Sequence, residues 1–214
     1  DLLTHAHFDH IGGLPYIRRW ANNTRLVVGP QTAELLVKQD VREELFERNE
    51  RLAAGVGVEL EFSREEWCAS LEPDRILGDG DMLKLGEDVE IKLISCPGHT
   101  EDCVGYYIKP DGAFACGEAI GGYAGRDKIS PCFLSGYRDY LQSLVRLSAL
   151  DMKFLALPHG GALSGELITR FLMDAQKEAV RFFTSVKEKL DQGVLVDEIY
   201  DSLLPEWQSE NICP

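Results

Sequence analysis

The sequence predicts a layered domain that mixes strands and helices, of the α/β or α+β class. Three observations carry this. Short apolar runs of strand length recur from Gly80 onward, bounded by Gly, Pro and Asp. Stretches with apolar residues at helical spacing precede, separate and follow them. The 214 residues, 44% of them hydrophobic, suffice for one domain with a sizeable core and are too few for two large ones.

Taken in order, Leu2 to His5 reads as the end of a short strand. Leu14, Ile17 and Trp20 recur at helical spacing, so a helix runs to about Ala21. Arg25 to Val28 is a short buried strand closed by Gly29-Pro30. Gln31 to about Ala54 reads as one long polar helix, with Leu35, Leu36, Leu45 and Leu52 on one side and Gly55 and Gly57 ending it. Residues 58–78 show no clear period, although Trp67 and Leu71 are expected to cover an apolar surface. Strands follow at Met82 to Leu85, Val89 to Ser95, Val104 to Ile108 and Ala113 to Cys116. The last two are joined by Lys109-Pro110-Asp111-Gly112, where Pro presets φ and Gly supplies a positive φ. Tyr137 to Leu150 is an amphipathic helix, Phe154 to Leu157 a strand, and Gly165 to Leu190 a long helix. A shorter helix, Val194 to Leu204, is expected to stop before Pro205.

The net charge of −14 and the lack of a basic stripe weigh against nucleic-acid binding. No apolar run is long enough to span a bilayer, so no membrane partner is expected. Six cysteines are scattered at positions 68, 96, 103, 116, 132 and 213 without a CxxC pair. Reduced thiols and a cytoplasmic location are the expectation. The chain opens on Asp1-Leu2-Leu3 without an initiator Met or a signal peptide. It reads as a fragment whose first strand begins upstream.

The histidines carry the chemistry. Three of the five fall in Thr4-His5-Ala6-His7-Phe8-Asp9-His10. On a strand, His5 and His7 point the same way, and Asp9 and His10 sit at the mouth of the helix that follows. His99 lies in Cys96-Pro97-Gly98-His99-Thr100, directly after a strand. His159 lies in Leu157-Pro158-His159-Gly160-Gly161, directly after another. Glu118 follows a third, in Cys116-Gly117-Glu118. Loops at strand ends are where such scaffolds gather functional groups, and imidazoles with carboxylates are ordinary ligands for zinc, iron or manganese.

The series His5-Ala6-His7-Phe8-Asp9-His10, Gly98-His99-Thr100, Gly117-Glu118-Ala119 and His159-Gly160-Gly161 resembles the metallo-β-lactamase superfamily, from residue 1 to about residue 165. Within it the chain is most similar to the thioesterase and glyoxalase II branch, including quinolone-signal-response thioesterases of pseudomonads. Leu3-Thr4-His5 with Leu14-Pro15-Tyr16, Phe114 to Ala119 and Tyr140 to Leu144 carry that narrower likeness. The resemblance implies an α+β fold, a four-layer αββα sandwich, here lacking its first N-terminal strands. Residues 1–165 would form this domain, and residues 166–214 a C-terminal helical extension packed on it.

The resemblance further implies two divalent metal ions, zinc or iron, with manganese also compatible. His5, His7 and His99 would form one site and Asp9, His10 and His159 the other. A bridging carboxylate would come from Glu118, where the family usually has Asp. The implied chemistry is hydrolysis by a metal-bridging hydroxide, with Asp9 holding the nucleophile and relaying a proton. A thioester is the first expected substrate, of acyl-CoA or glutathione type, because a thiolate leaves without a strong acid. A phosphodiester or RNA is the alternative within the superfamily, and a metal-bound regulatory effector with little turnover is another. Cys103, Tyr123, Phe133 and Tyr137 are candidate substrate contacts. Cys103 also reads as a small buried hydrophobe, and the aromatics as core. Phe171, Leu172, Phe182 and Phe183 in the C-terminal helices could cap the entrance, fill the core or form a homodimer contact.

Overall fold

The computed structural model describes residues 1–21, 23–124, 128–158 and 160–207. Its architecture follows from one two-residue strand, β1 (Val27–Val28), whose side chains leave on opposite faces. Val27 enters a core shared with a large sheet, and Val28 enters a core shared with helices.

The large sheet comprises β3 (Met82–Leu85), β4 (Val89–Ser95), β5 (Val104–Lys109), β6 (Ala113–Ala115), β9 (Phe154–Leu157) and β10 (Gly161–Ser164), in the order β10-β9-β6-β5-β4-β3. Its pairs are antiparallel except β6 with β9. One face carries Leu83, Ile91, Leu93, Val104 and Tyr106 toward Val27 and Leu77. Beside them β1 pairs in parallel with β2 (Arg75–Ile76).

The other face carries Ile94, Phe114, Leu155 and Leu157 toward two helices. These are α6 (Tyr137–Ser148), presenting Tyr140, Leu144 and Leu147, and α7 (Glu166–Asp191), presenting Ile168, Phe171, Leu172, Ala175 and Ala179. Both sets recur at helical spacing, so each helix buries one stripe. Beyond β1 lie α1 (Phe8–Ile11), α2 (Leu14–Trp20), α3 (Pro30–Leu36), α4 (Gln39–Gly55) and α5 (Arg64–Ser70). They close over Leu3, Ile11, Leu36, Phe46, Trp67 and Leu71. Helices, sheet, sheet, helices: the layers are α, β, β, α. A short pair, β7 (Gly122–Tyr123) with β8 (Ile129–Ser130), and a last helix, α8 (Val196–Trp207), complete the description. Among the described residues no helix is long and apolar enough to cross a membrane.

Three local expectations are corrected, and a stretch without a clear period is resolved. The helix expected over residues 31–54 is two helices. Lys38 turns extended at φ −81° and ψ 123°. The Arg42 guanidinium fills the break, donating to the carbonyls of Leu36 and Cys68. The expected strand Leu2 to His5 shrinks to a single bridge from Leu2 to Val27, so strand alternation does not align His5 with His7. The helix expected to stop before Pro205 runs past it to Trp207, which costs one N–H donor inside α8. The unread stretch 58–78 holds α5, started by a reciprocal Ser63–Glu66 capping box. Trp67 and Leu71 are completely buried there.

Candidate metal centre

β4 and β6 both run antiparallel to β5, so their C-terminal ends lie at one edge of the sheet. β9 runs parallel to β6 and ends at that same edge. His99 follows β4 and Glu118 follows β6. The segment carrying His5 and His7 is laced to this edge from the other side. Leu3 N–H donates to Val27 O, and Val104 N–H donates to Thr4 O.

Two glycines permit the close approach. Gly98 has φ +136°, and a Cβ there would stand 2.3 Å from the Tyr140 backbone. Gly117 has φ +52°, and a Cβ there would stand 2.8 Å from Thr4 Cβ. L side chains rarely adopt either conformation.

The result is a cluster in which one ligand atom each from His5, His7, His99 and Glu118 lies within 4.8 Å of the others. His5 Nε2 is 3.0 Å from His7 Nδ1, which is 3.1 Å from His99 Nε2. Glu118 Oε2 is 2.9 Å from His99 Nε2, 3.3 Å from His5 Nε2 and 3.7 Å from His7 Nδ1. A tetrahedral ion with bonds near 2.05 Å needs ligand atoms about 3.3 Å apart. These separations bracket that value, so the donor set fits a divalent ion in both chemistry and spacing.

The outer ring nitrogens are oriented as well. His5 Nδ1 lies 3.1 Å from Thr4 Oγ1. His99 Nδ1 donates to the Cys132 carbonyl at 3.0 Å and lies 3.1 Å from Cys132 Sγ. That donor role leaves Nε2 of a neutral His99 with its lone pair facing the cluster.

Burial grades the site from back to front. His5 and His99 are buried, while His7 and Asp9 reach solvent. Burial lowers the His5 pKa, and the neighbouring imidazoles lower it further. Burial also opposes charge on His99, but its bonds to Cys132 and Glu118 prevail and raise it to about 10. Burial would raise Glu118, yet hydrogen bonds from His10, His5, His7 and His99 hold its carboxyl far below the usual range.

Of the other expected site residues, His10 lies beside the cluster, with Nε2 3.5 Å from Glu118 Oε2 and 3.7 Å from Asp9 Oδ2. Asp9 stands on α1 at the solvent side. His159 lies outside the described residues. Phe133 and Tyr137 belong to an aromatic corner next to Cys132, where Phe133 meets Tyr137, Tyr140 and Phe182, and Tyr137 stacks on Phe183 at 3.9 Å. Tyr123 packs on Phe171. Cys103 is 1% exposed, with its thiol 3.1 Å from Thr100 Oγ1. Thr4 and Cys132 were not among the expected residues. The signal for Thr4 was its place directly before His5, whereas nothing near Cys132 signals a role, since only the fold brings it to His99.

The chain shares 31% identity over 76% of its length with a hydroxyacylglutathione hydrolase of Buchnera aphidicola, and 26% over 53% with glyoxylase B2 of Dictyostelium discoideum. It spans 48% of the first relative's length and 32% of the second's. An archaeal metallo-β-lactamase superfamily protein from Sulfolobus tokodaii superposes with a TM-score of 0.60 at 22% identity, over 83% of this chain and 66% of that one. The metallo-β-lactamase superfamily's own pattern matches residues 2–159, from just before the first histidine cluster to the last histidine, and the chain therefore belongs to that superfamily.

Proposed function

We propose that the chain is a dinuclear metal-dependent hydrolase acting on thioesters of small molecules. The observation that carries the reading is the convergence of the His5, His7 and His99 ring nitrogens with the Glu118 carboxylate at a solvent-reaching edge. The names of its hydroxyacylglutathione hydrolase and glyoxylase relatives favour a thioester over other substrates.

In this reading His5, His7 and His99 would hold one ion and Asp9, His10 and His159 the other, with the Glu118 carboxylate available to both. Zinc or iron suits the nitrogen-rich set. When bound, such ions supply an acidified water and polarise a substrate carbonyl. The chain's residues do the rest. Thr4 and Cys132 keep the His5 and His99 rings oriented. Asp9, at the open side, accepts the proton released by the attacking water. A thiolate, with a thiol pKa near 8.5, leaves without a strong acid. Phe133 and Tyr137, on the segment that buttresses His99, give an acyl group an apolar wall.

The test is turnover of the purified chain loaded in turn with zinc, iron and manganese, on an acyl-thioester and on an activated phosphodiester. Thioester hydrolysis that needs metal and disappears in Asp9→Asn is the expected result. Faster phosphodiester cleavage, or thioester turnover unchanged in Asp9→Asn, would overturn it.

A further inference from the structure

Asp102 occupies none of the ligand positions, yet it is 3% exposed. A carboxylate so placed is tolerated only where donors satisfy it. Its Oδ2 accepts from the Ala6 backbone N–H at 2.8 Å and from the Thr32 hydroxyl at 2.9 Å. Thr32 is completely buried in α3. Ala6 is the residue between His5 and His7, and Asp102 is the third residue after His99. One carboxylate oxygen thus ties together the two loops that carry three imidazoles and pins both to α3.

The local backbone explains why such a tie matters. The segment from Leu3 to His7 is not a strand, and its ladder-like bonds end at Thr4. The N–H between the two histidines is taken by Asp102. Among the described residues no other hydrogen bond ties the backbone between His5 and His7 to the His99 loop, while the three ring nitrogens require spacing within a few tenths of an ångström.

We infer that Asp102 is a positioning residue of the metal centre, setting the His5–His7 pair against His99 through Ala6 N–H and the Thr32 hydroxyl. The inference rests on the metal-centre reading above. It separates hydrogen bonding from charge, because an Asn side-chain oxygen can accept both bonds.

The experiment measures zinc affinity by chelator competition in the parent chain and in Asp102→Ala, Asp102→Asn and Thr32→Val. It also measures amide hydrogen exchange at Ala6 in each metal-free chain. Asp102→Ala is expected to bind zinc roughly 10–100-fold more weakly, Asp102→Asn within about threefold of the parent, and Thr32→Val between them. Ala6 exchange should accelerate in Asp102→Ala and stay near the parent rate in Asp102→Asn. A merely structural Asp102 would lower the melting temperature and leave the zinc affinity of the folded chain unchanged, which overturns the inference. Asp102→Asn as weak as Asp102→Ala overturns it too, by making charge the cause. If Asp102→Ala does not fold, parent-like affinity in Thr32→Val overturns it. A parent chain that binds no zinc removes the metal-centre reading and the inference together.

Discussion

The two halves of the sandwich each bury an apolar core, but they differ in how much regular strand and helix surrounds it. Residues 82–191 form a continuous sheet with two long helices laid on it, and their core is almost wholly apolar. Residues 1–76 hold two strands of two residues and five helices, and side chains bonded to backbone stitch them together. Arg42 bonds to the carbonyls of Leu36 and Cys68, and Asn49 to those of Phe8 and Leu45. Arg18 bonds to the Glu72 carbonyl and the Asp74 carboxylate, and Asp74 in turn accepts from Leu26 N–H. The metal cluster lies on the seam, with His5, His7 and His10 from the stitched half and His99 and Glu118 from the packed half. Apolar packing builds the platform, and directional bonds aim the ligands that no strand aims.

The strongest way to break the comparison is at the seam. Gly98→Ala would force a Cβ into the Tyr140 backbone at a φ of +136°. It should cost about 4 kcal/mol or more and prevent soluble expression or remove metal binding. Leu144→Ala strikes the packed half at a completely buried position. It should cost about 3 kcal/mol in denaturant melts while leaving zinc affinity of the folded chain near the parent's.

Asn49→Ala strikes the stitched half. Its Nδ2 bonds the Phe8 carbonyl at 3.0 Å and so holds the helix that carries Asp9 and His10. About 2 kcal/mol should be lost, with zinc affinity falling alongside stability, unlike the Leu144 variant. Equal effects of the two variants on zinc affinity would erase the distinction between the halves.

The mildest perturbation is pH. His99 is raised from 6.5 to about 10, so its stabilisation is complete below pH 6.5 and fades as pH climbs toward 10. Glu118 is lowered from 4.5, so its stabilisation is complete above pH 4.5 and fades on acidification. The metal-free chain should therefore draw most from this pair between those values. Above pH 6.5 it should lose at most about 1.4 kcal/mol per pH unit, read from denaturation midpoints. With zinc bound, the ion replaces the His99 proton and the alkaline loss should vanish.

How much of this was legible follows the same division. Met82 to Leu85, Val89 to Ser95 and Phe154 to Leu157 were readable because four or more residues show a strand pattern between turn signals. Tyr140, Leu144 and Leu147 announced their helix by spacing alone. β2, β7 and β8 are too short for any period to register, and β1 was read only as part of the run Arg25 to Val28. The break between α3 and α4 was hidden because the Arg42 bonds that fill it reach across residues 36 to 68. In the site, His5, His7, Asp9, His10, His99 and Glu118 stood out as residue types at strand ends. Thr4, Asp102 and Cys132 did not, because the partners of Asp102 and Cys132 lie far off in the chain, and the turn of Thr4 back onto the His5 ring beside it is a matter of local geometry.

The sequence by itself determined which residues could hold a metal, because imidazoles and carboxylates are chemical identities that need no fold to be recognised. It determined the packed half too, because burial stripes on long strands and helices repeat locally. Tertiary structure alone decided that one oxygen of Glu118 would face four imidazoles, and that Cys132 would orient His99 across 33 residues. It alone decided that a buried Asp102 would reach Ala6 across 96. Hydrogen bonds are directional and short, so they depend on where the chain returns, and that is settled only once both sheets have packed.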